Sequence, residues 1–416
     1  MALSTLVVTS LFPNNVQPTW GVFNARSIEH LARVADVRVI APVKWFPGLS
    51  LISKGERELG RIPAASTHRG IEVTHPRVFR SPGVGRWLHD KFYEVSIRDH
   101  VQRLTDKRRP DVILAAWAHP DGCAMQQLGD QLGIPVVVKC LGTDVNGLLQ
   151  EPRRGERVLA SLRRSARVIT VSERLRQVLI SRGIPEKKID VIYHGVDRGI
   201  FRPRPQQEVR ATLDLPTHNK FIVCVAELVP IKRHVDLIDA FSILRSRFGH
   251  DVSLVLVGDG PLRAAIAQQV VARGLEGHVW MAGCYPHPLI AQWMAASDLV
   301  CLASDNEGLP NVLVEALACG RPVVATDVGG VSELVSSIDH GRLVPRRRPA
   351  ELAQAMHEVL SRSWDPTRLS ACPQVISWEQ STERLVESLA RAAGRNPPTG
   401  PADTRASRSA ELEAHV

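Results

Sequence analysis

The sequence predicts an α/β chain made of two doubly wound parallel-sheet halves. Three observations lead there. Apolar, β-branched runs recur along the chain, and each is followed by a loop and then by a helical pattern. The rhythm breaks once in the middle, at Phe201-Arg-Pro203-Arg-Pro205, where two prolines resist helix and withhold amide donors. And 416 residues are too many for one ordinary core.

In the first half, Thr5–Thr9 reads as a buried strand, Ala25–Arg33 as a helix and Val37–Ala41 as the next strand. Residues 48–85 are less regular, rich in Pro, Gly and Arg, and fit extra loops or a hairpin. Val112–Ala116 and Val136–Cys140 are further strands. Val168–Val171 runs into Ser172-Glu173, a helix-capping pair, and Val191–Tyr193 closes the half. After the proline break the series restarts. Phe221–Ala226, Val252–Val257, Val279–Ala282, Leu299–Leu302 and Val323–Ala325 are strands, and Glu379–Ala393 is a late helix. This organisation predicts domains 1–202 and 203–376, with 377–394 crossing back to the first and 395–416 as a disordered, Pro-, Gly-, Ser- and charge-rich tail.

Lys and Arg number 52 against 43 Asp and Glu, giving +9 and a pI near 9.5. That bias suits an anionic partner, although an arginine-rich composition raises the pI by itself. Aromatic residues are only 5% and no nucleic-acid-binding motif is present, so nucleic acid is not expected as a partner. None of the seven cysteines forms a Cys-x-x-Cys pair, and most lie in apolar runs, as in a reduced cytoplasmic protein. No basic stretch precedes the first apolar run, and no run of 18 or so apolar residues exists, so neither a signal peptide nor a membrane span is expected.

Chemistry concentrates in Ser304-Asp-Asn-Glu307-Gly308-Leu309-Pro310-Asn311-Val312-Leu313-Val314-Glu315. A strand ends before this segment and Pro310 suits the first helical turn, so Glu307 falls in the loop and Glu315 on the helix. Amides at the helix start, near Asn311 and Val312, would face a crevice able to hold a diphosphate. Carboxylates do not bind phosphate, but they accept hydrogen bonds from hydroxyls. Two of them flanking such a helix start suit a ligand with a ribose at one end and a sugar at the other. A capping carboxylate plus a surface salt bridge is the other reading of the same residues.

Glu307 and Glu315, with seven residues between them, followed by Gly320-Arg-Pro322 and Thr326-Asp-Val-Gly329-Gly330, resemble the signature of retaining glycosyltransferases of family 4. So do Gly258-Asp-Gly260-Pro261 and the interdomain segment His194-Gly195-Val196-Asp197, where His194 replaces the common Asn. The resemblance covers most of the chain and implies the GT-B fold: two Rossmann-like domains with a C-terminal helix, opening near Trp378-Glu379, that returns to the first. It implies that Glu307 contacts donor-sugar hydroxyls, that Glu315 holds the ribose, and that the backbone of Gly308, Leu309, Pro310, Asn311 and Val312 holds phosphate.

The family normally carries Gly-Arg-Leu and then Lys-Gly at the opening of the second domain. Here Lys232 matches the lysine, Glu227 stands in place of the arginine and Arg233 in place of the glycine. The resemblance therefore implies Lys232 as the phosphate ligand, with Arg233 as a substitute for the missing arginine. Charge argues that Glu227 turns from the diphosphate and pairs with a cation. In the first half, Gly21-Val22-Phe23 is similar to the family's glycine element near the donor, where a glycine lets backbone approach a ligand. The loops Trp117-Ala-His119-Pro120-Asp121-Gly122 and Leu141-Gly142-Thr143-Asp144 are similar to a subgroup that includes teichuronic-acid and other bacterial surface-polysaccharide enzymes. His119 and Asp144 are the candidate catalytic contacts there, and His194 is read as structural.

The implied activity is retaining transfer of a sugar from a nucleotide-diphosphate sugar to a glycan or lipid-linked acceptor, the leaving phosphate serving as base. No Asp-x-Asp motif lies in a suitable loop, so no metal and no cofactor are expected. A nucleotide-sugar epimerase, another enzyme on the same architecture and a non-catalytic nucleotide-sugar-binding subunit are the alternatives. Basic residues interleaved with aromatics, Lys44-Trp45-Phe46-Pro47 and Arg86, Trp87, Lys91 and Phe92, suit an anionic membrane surface at the inner face of the cytoplasmic membrane.

Overall fold

The structure, a computed structural model, describes residues 2–46, 57–80, 88–249 and 251–396. Pro47, Arg86, Trp87 and the tail from residue 397 lie outside the described residues.

Sixteen strands are present among the described residues. In chain order they are β1 (Ser4–Val8), β2 (Asp36–Ile40), β3 (Val43–Trp45), β4 (Ala65–His68), β5 (Ile71–Thr74), β6 (Arg77–Phe79), β7 (Val112–Ala115) and β8 (Val136–Cys140). There follow β9 (Arg167–Thr170), β10 (Ile189–Val191), β11 (Lys220–Val225), β12 (Val252–Val257), β13 (Val279–Gly283), β14 (Leu299–Leu302), β15 (Val323–Thr326) and β16 (Gly341–Val344). An eight-stranded sheet runs β10-β9-β8-β7-β1-β2-β5-β4, and a six-stranded sheet runs β13-β12-β11-β14-β15-β16. The small pair β3-β6 stands apart from both. All registered pairings are parallel except β4 with β5, a hairpin at the sheet edge whose turn holds Arg69 and Gly70 at positive φ. That hairpin falls in the irregular region 48–85.

Both large sheets are doubly wound. In the first, the chain moves outward from β1 through β2, then resumes on the other side of β1 with β7, β8, β9 and β10. In the second, β11, β12 and β13 go one way and β14, β15 and β16 the other. Each sheet therefore has a point where the winding reverses, between β1 and β7 and between β11 and β14. In open parallel sheets ligands bind beyond the carboxyl ends of the strands at such points. Two parallel-sheet Rossmann-like layers of this kind are the fold the sequence predicts.

The reason these segments are strands is their unbroken apolar content. Val252–Val257 is fully buried along its length, as a strand covered on both faces must be. Helix His234–Phe248 turns Leu237, Ile238, Phe241 and Leu244 onto the sheet, and it stops at Gly249 with φ 62°. Each such side chain withdrawn from water stabilises the fold by about 1.5–3 kcal/mol. Element edges shift slightly from the sequence reading: the first helix is Val22–Ala32, and the strand expected at Val191–Tyr193 is Ile189–Val191. Ser172 caps helix Glu173–Ser181 through its Oγ, which accepts from the Leu175 amide at 3.2 Å.

The chain separates into two compact units, one of Met1–Lys139, Arg157–Val168 and Thr382–Val416, the other of Cys140–Glu156 and Ile169–Ser381. The last helix, Trp378–Ala392, begins in the second unit and continues in the first. Its start is fixed by close backbone packing: Val196 N donates to Ile376 O at 2.9 Å, and Gly195 lies where a Cβ would meet the Trp378 backbone at 2.4 Å. Among the described residues no helix is long and apolar enough to cross a membrane.

Candidate active site

The loops that follow β11 and β14 lie at the reversal point of the second sheet, and they carry Lys232 and Glu307. A single 3-10 turn, Pro230–Lys232, leads from β11 into helix His234–Phe248. At its end Lys232 Nζ donates to Glu307 Oε1 at 2.6 Å, the side chains being 24% and 10% exposed. Lys232 and Glu307 are thus brought together although 75 residues separate them.

Helix Asn311–Ala318 starts beside this pair. Leu313, Val314, Ala316, Leu317 and Ala318 are buried, which leaves Asn311, Val312 and Glu315 as its partly open strip. One turn separates Asn311 from Glu315, so both occupy the same face. The helix has no side-chain cap. The Leu313 amide folds back to Pro310 O at 3.0 Å, whereas those of Leu309, Asn311 and Val312 have no acceptor among the described residues. Unsatisfied amides at a helix head are a ready receptor for phosphate oxygens.

The Glu315 carboxyl makes no hydrogen bond or ion pair among the described residues, and desolvation pushes it up to about 8. A carboxyl partly withdrawn from water without a donor is an unfavourable arrangement that a ligand hydroxyl relieves.

The segment Leu141–Asn146 packs directly on the Glu307 loop. Asn146 Nδ2 donates to Asn306 Oδ1 and to the Glu307 carbonyl, both at 3.0 Å. A Cβ on Gly308 would sit 1.9 Å from the Leu141 carbonyl oxygen, so only glycine permits this approach. Gly330 N closes the opposite side by donating to Gly308 O at 2.8 Å.

Asp144, expected as an acceptor-hydroxyl or donor-sugar contact, turns its carboxylate to its own loop. It is fully buried, and its carboxylate accepts from the amides of Leu141 at 3.0 Å and Gly142 at 2.8 Å. Its charge fixes the loop that abuts Gly308. Arg233 also departs from its expected use. It sits at φ 50°, a conformation that suits glycine, and its guanidinium grips Asp236 through two bonds of 2.8 and 2.9 Å, with Asp305 at 3.9 Å. The arginine is committed to carboxylates before any ligand arrives. Glu227, expected to pair with a cation, is exposed and makes no ion pair among the described residues.

Gly21 and His119 belong to the first unit, in the loops that follow β1 and β7 at the other reversal point. Gly21 precedes the first helix at φ 68°, and a Cβ there would lie 2.3 Å from the Leu11 carbonyl oxygen. The close approach that demands glycine is thus to the chain's own backbone. His119 is 3% exposed, with Nε2 3.9 Å from Asp90 Oδ1, and Asp90 is itself held by Arg157 at 2.6 Å. The two loops are joined by Asp121, which accepts from the Ser10 amide at 2.8 Å and from Ser10 Oγ at 2.5 Å.

Three further residues position the site. His194 Nδ1 lies 2.9 Å from Asn311 Oδ1 and holds the first residue of the open helix. Glu333 accepts from the amides of Glu173 at 2.9 Å and Arg174 at 2.8 Å and from Tyr193 OH at 2.8 Å. Asp305 is kept ionised by hydrogen bonds from Arg347 at 2.8 and 3.0 Å, which hold its carboxyl below the usual range. None of these pairs has a local sequence signal.

Two doubly wound sheets, with an anion-receptive helix head, a lysine and two carboxylates at the reversal point of the second, match the GT-B architecture that the sequence implies. Residues 20–199 match the model of Glycosyltransferase Family 4, and residues 219–362 match that of Glycosyl transferases group 1. The two matches together span most of the chain, which is a glycosyltransferase carrying a family 4 domain and a group 1 domain. A relative from Bacillus subtilis (strain 168), provisionally named teichuronic acid biosynthesis glycosyltransferase TuaC, is 28% identical over 367 residues, 86% of this chain and 89% of its own length. N-acetyl-alpha-D-glucosaminyl L-malate synthase of Bacillus anthracis is 28% identical over 277 residues, 66% of this chain and 69% of its own. The Anabaena protein Alr3699/HepE, solved in complex with UDP, superposes with a TM-score of 0.70 at 21% identity, covering 94% of this chain and 100% of that one.

Proposed function

We propose that this glycosyltransferase moves a sugar from a nucleotide-diphosphate sugar to a glycan or lipid-linked acceptor in bacterial cell-surface polysaccharide synthesis, with retention and without a metal. The observation that carries the reading is the Lys232–Glu307 pair beside the open head of helix Asn311–Ala318, with Glu315 one turn further along. The UDP bound by Alr3699/HepE and the teichuronic acid in the name of the Bacillus subtilis relative support the donor class and the pathway class respectively.

Each group has a chemical task. Breakage of the anomeric C–O bond builds negative charge on the leaving diphosphate. The amides of Leu309, Asn311 and Val312 receive phosphate oxygens, and Lys232 turns from Glu307 toward the developing charge. Freed of the lysine, Glu307 accepts from donor-sugar hydroxyls. Glu315 accepts from the ribose hydroxyls. The acceptor hydroxyl approaches on the face the diphosphate leaves and gives its proton to a departing phosphate oxygen, which preserves the anomeric configuration. Asp144 and Asn146 act as positioning residues that hold the Glu307 loop. His119 stands on the acceptor side.

A lipid-linked acceptor would be met at the cytoplasmic membrane surface. Trp45, 47% exposed at the end of β3, and Lys44 beside it supply the interfacial contact. A panel of UDP-, GDP- and ADP-sugars, read by thermal shift and then by product analysis with acceptors, tests the function. A donor that stabilises the protein and is consumed only when an acceptor is present supports transfer. Conversion of the donor without an acceptor to an epimer, or binding without turnover, would replace it with one of the other readings.

A further inference from the structure

We propose that Lys139, at the carboxyl tip of β8, is the seat for an anionic group, phosphate or carboxylate, carried by the acceptor. The proposal rests on the reading of the first sheet as the acceptor side.

Lys139 is 4% exposed, and its ammonium makes no hydrogen bond and no ion pair among the described residues. A buried ammonium without a counter-charge is costly, and proteins normally neutralise, pair or expose it. The acids buried in this unit are otherwise engaged. Asp90 is held by Arg157, Glu94 by Arg98, and Asp121 by Ser10. Desolvation alone lowers the lysine to about 8, so it retains its proton at neutral pH and is ready to hold an anion.

The position is where a parallel sheet offers a ligand site. Registers Val8 with Ala115 and Ala115 with Val138 continue by one residue into a final row, Thr9, Ala116 and Lys139, whose side chains share one face. The ladder reaches this row, since Thr9 N donates to Ile40 O and Ala116 N donates to Val8 O, each at 3.0 Å. Ala116 contributes only a methyl beside the lysine. Thr9 Oγ1 is engaged by Asn24 Nδ2 at 3.3 Å, and Asn24 lies in the helix that starts at the Gly21 turn. The lysine therefore stands in the tip row that includes β1 and β7, between which the winding reverses and where such folds take their ligands.

The test titrates inorganic phosphate and, in a parallel arm, glucuronate into wild type and Lys139→Met, both saturated with UDP so that the helix head at Asn311 is occupied. Thermal unfolding is the readout. The expected result is that one anion stabilises wild type and that the apparent affinity for it falls at least about ten-fold in the variant. UDP affinity stays the same, and the variant without anion is at least as stable as wild type. The arm that responds identifies phosphate or carboxylate. An equal response in the variant, no response to either anion in wild type, or a variant destabilised without loss of anion response would overturn the proposal. If Lys139→Met does not fold, reductive methylation of wild type gives the answer: the anion must slow modification of Lys139, and an unchanged rate rejects the site. Failure of UDP to bind would count against the donor site alone, because slowing of Lys139 methylation by the anion can be read without it.

Discussion

Replacing Glu315 with Gln should change both the pH dependence of stability and the pH dependence of nucleotide binding. Desolvation raises this carboxyl from roughly 4.5 to about 8. Between those values the folded chain keeps a proton that the unfolded chain releases, so stability falls as pH rises through the window, by up to about 1.4 kcal/mol per unit. Across the whole window the loss is about 5 kcal/mol, complete above the folded value and absent below the unfolded one. Gln has the same shape and no charge, so it removes this contribution. Urea unfolding at pH 5.5, 7 and 8.5 should therefore show Glu315→Gln gaining on wild type as pH rises. Ribose hydroxyls donate and need the carboxylate as acceptor. Binding of UDP to wild type should then release a proton below pH 8 and tighten with rising pH, and in the variant it should be weaker and flat. Parallel stability profiles and equal proton release in the two proteins would refute the desolvated-carboxyl account.

Lys232→Ala should lower turnover at least about 100-fold, near 3 kcal/mol of transition-state stabilisation, measured as nucleoside diphosphate release; a change below about three-fold would remove the lysine from the chemistry. Gly308→Ala should open the contact between Leu141 and the Glu307 loop, because the new Cβ falls 1.9 Å from a carbonyl oxygen. It should cost activity well before it unfolds the second sheet, and circular dichroism melts alongside kinetics separate the two. Activity should survive excess EDTA; loss restored by Mg²⁺ or Mn²⁺ would contradict the metal-independent reading.

The fold was legible because parallel strands buried on both faces are written as unbroken apolar runs, as in Val252–Val257, and because Pro203 and Pro205 interrupt the rhythm. The helix head was legible too: Pro310 marks its start and Leu313, Ala316 and Leu317 its buried side, which places Glu315 on the open strip. What stayed hidden depends on through-space pairing. Glu307 with Lys232, His194 with Asn311, and Glu333 with Glu173 are separated by 75, 117 and 160 residues, and no local pattern records such pairs. Asp144 was read as a site contact because a carboxylate in a strand-end loop looks the same whether it points to a ligand or back to its own amides. Arg233 was offered as a phosphate ligand to replace the arginine whose place Glu227 takes. Its positive φ and its partner Asp236 are set by the turn from Pro230 to His234, which sequence spacing does not reveal.

The most direct test of the central claim is the effect of Glu307→Gln on catalysis and on nucleotide binding, measured together. Glu307 is taken to meet the donor sugar, while the nucleotide is held by Glu315, Lys232 and the helix head. With the donor identified by the panel, turnover should fall at least about 100-fold, and the Kd for free nucleoside diphosphate should stay within about three-fold of wild type. A Kd for the free nucleotide that weakens in step with turnover would contradict the account, because it would place Glu307 on the nucleotide rather than on the sugar.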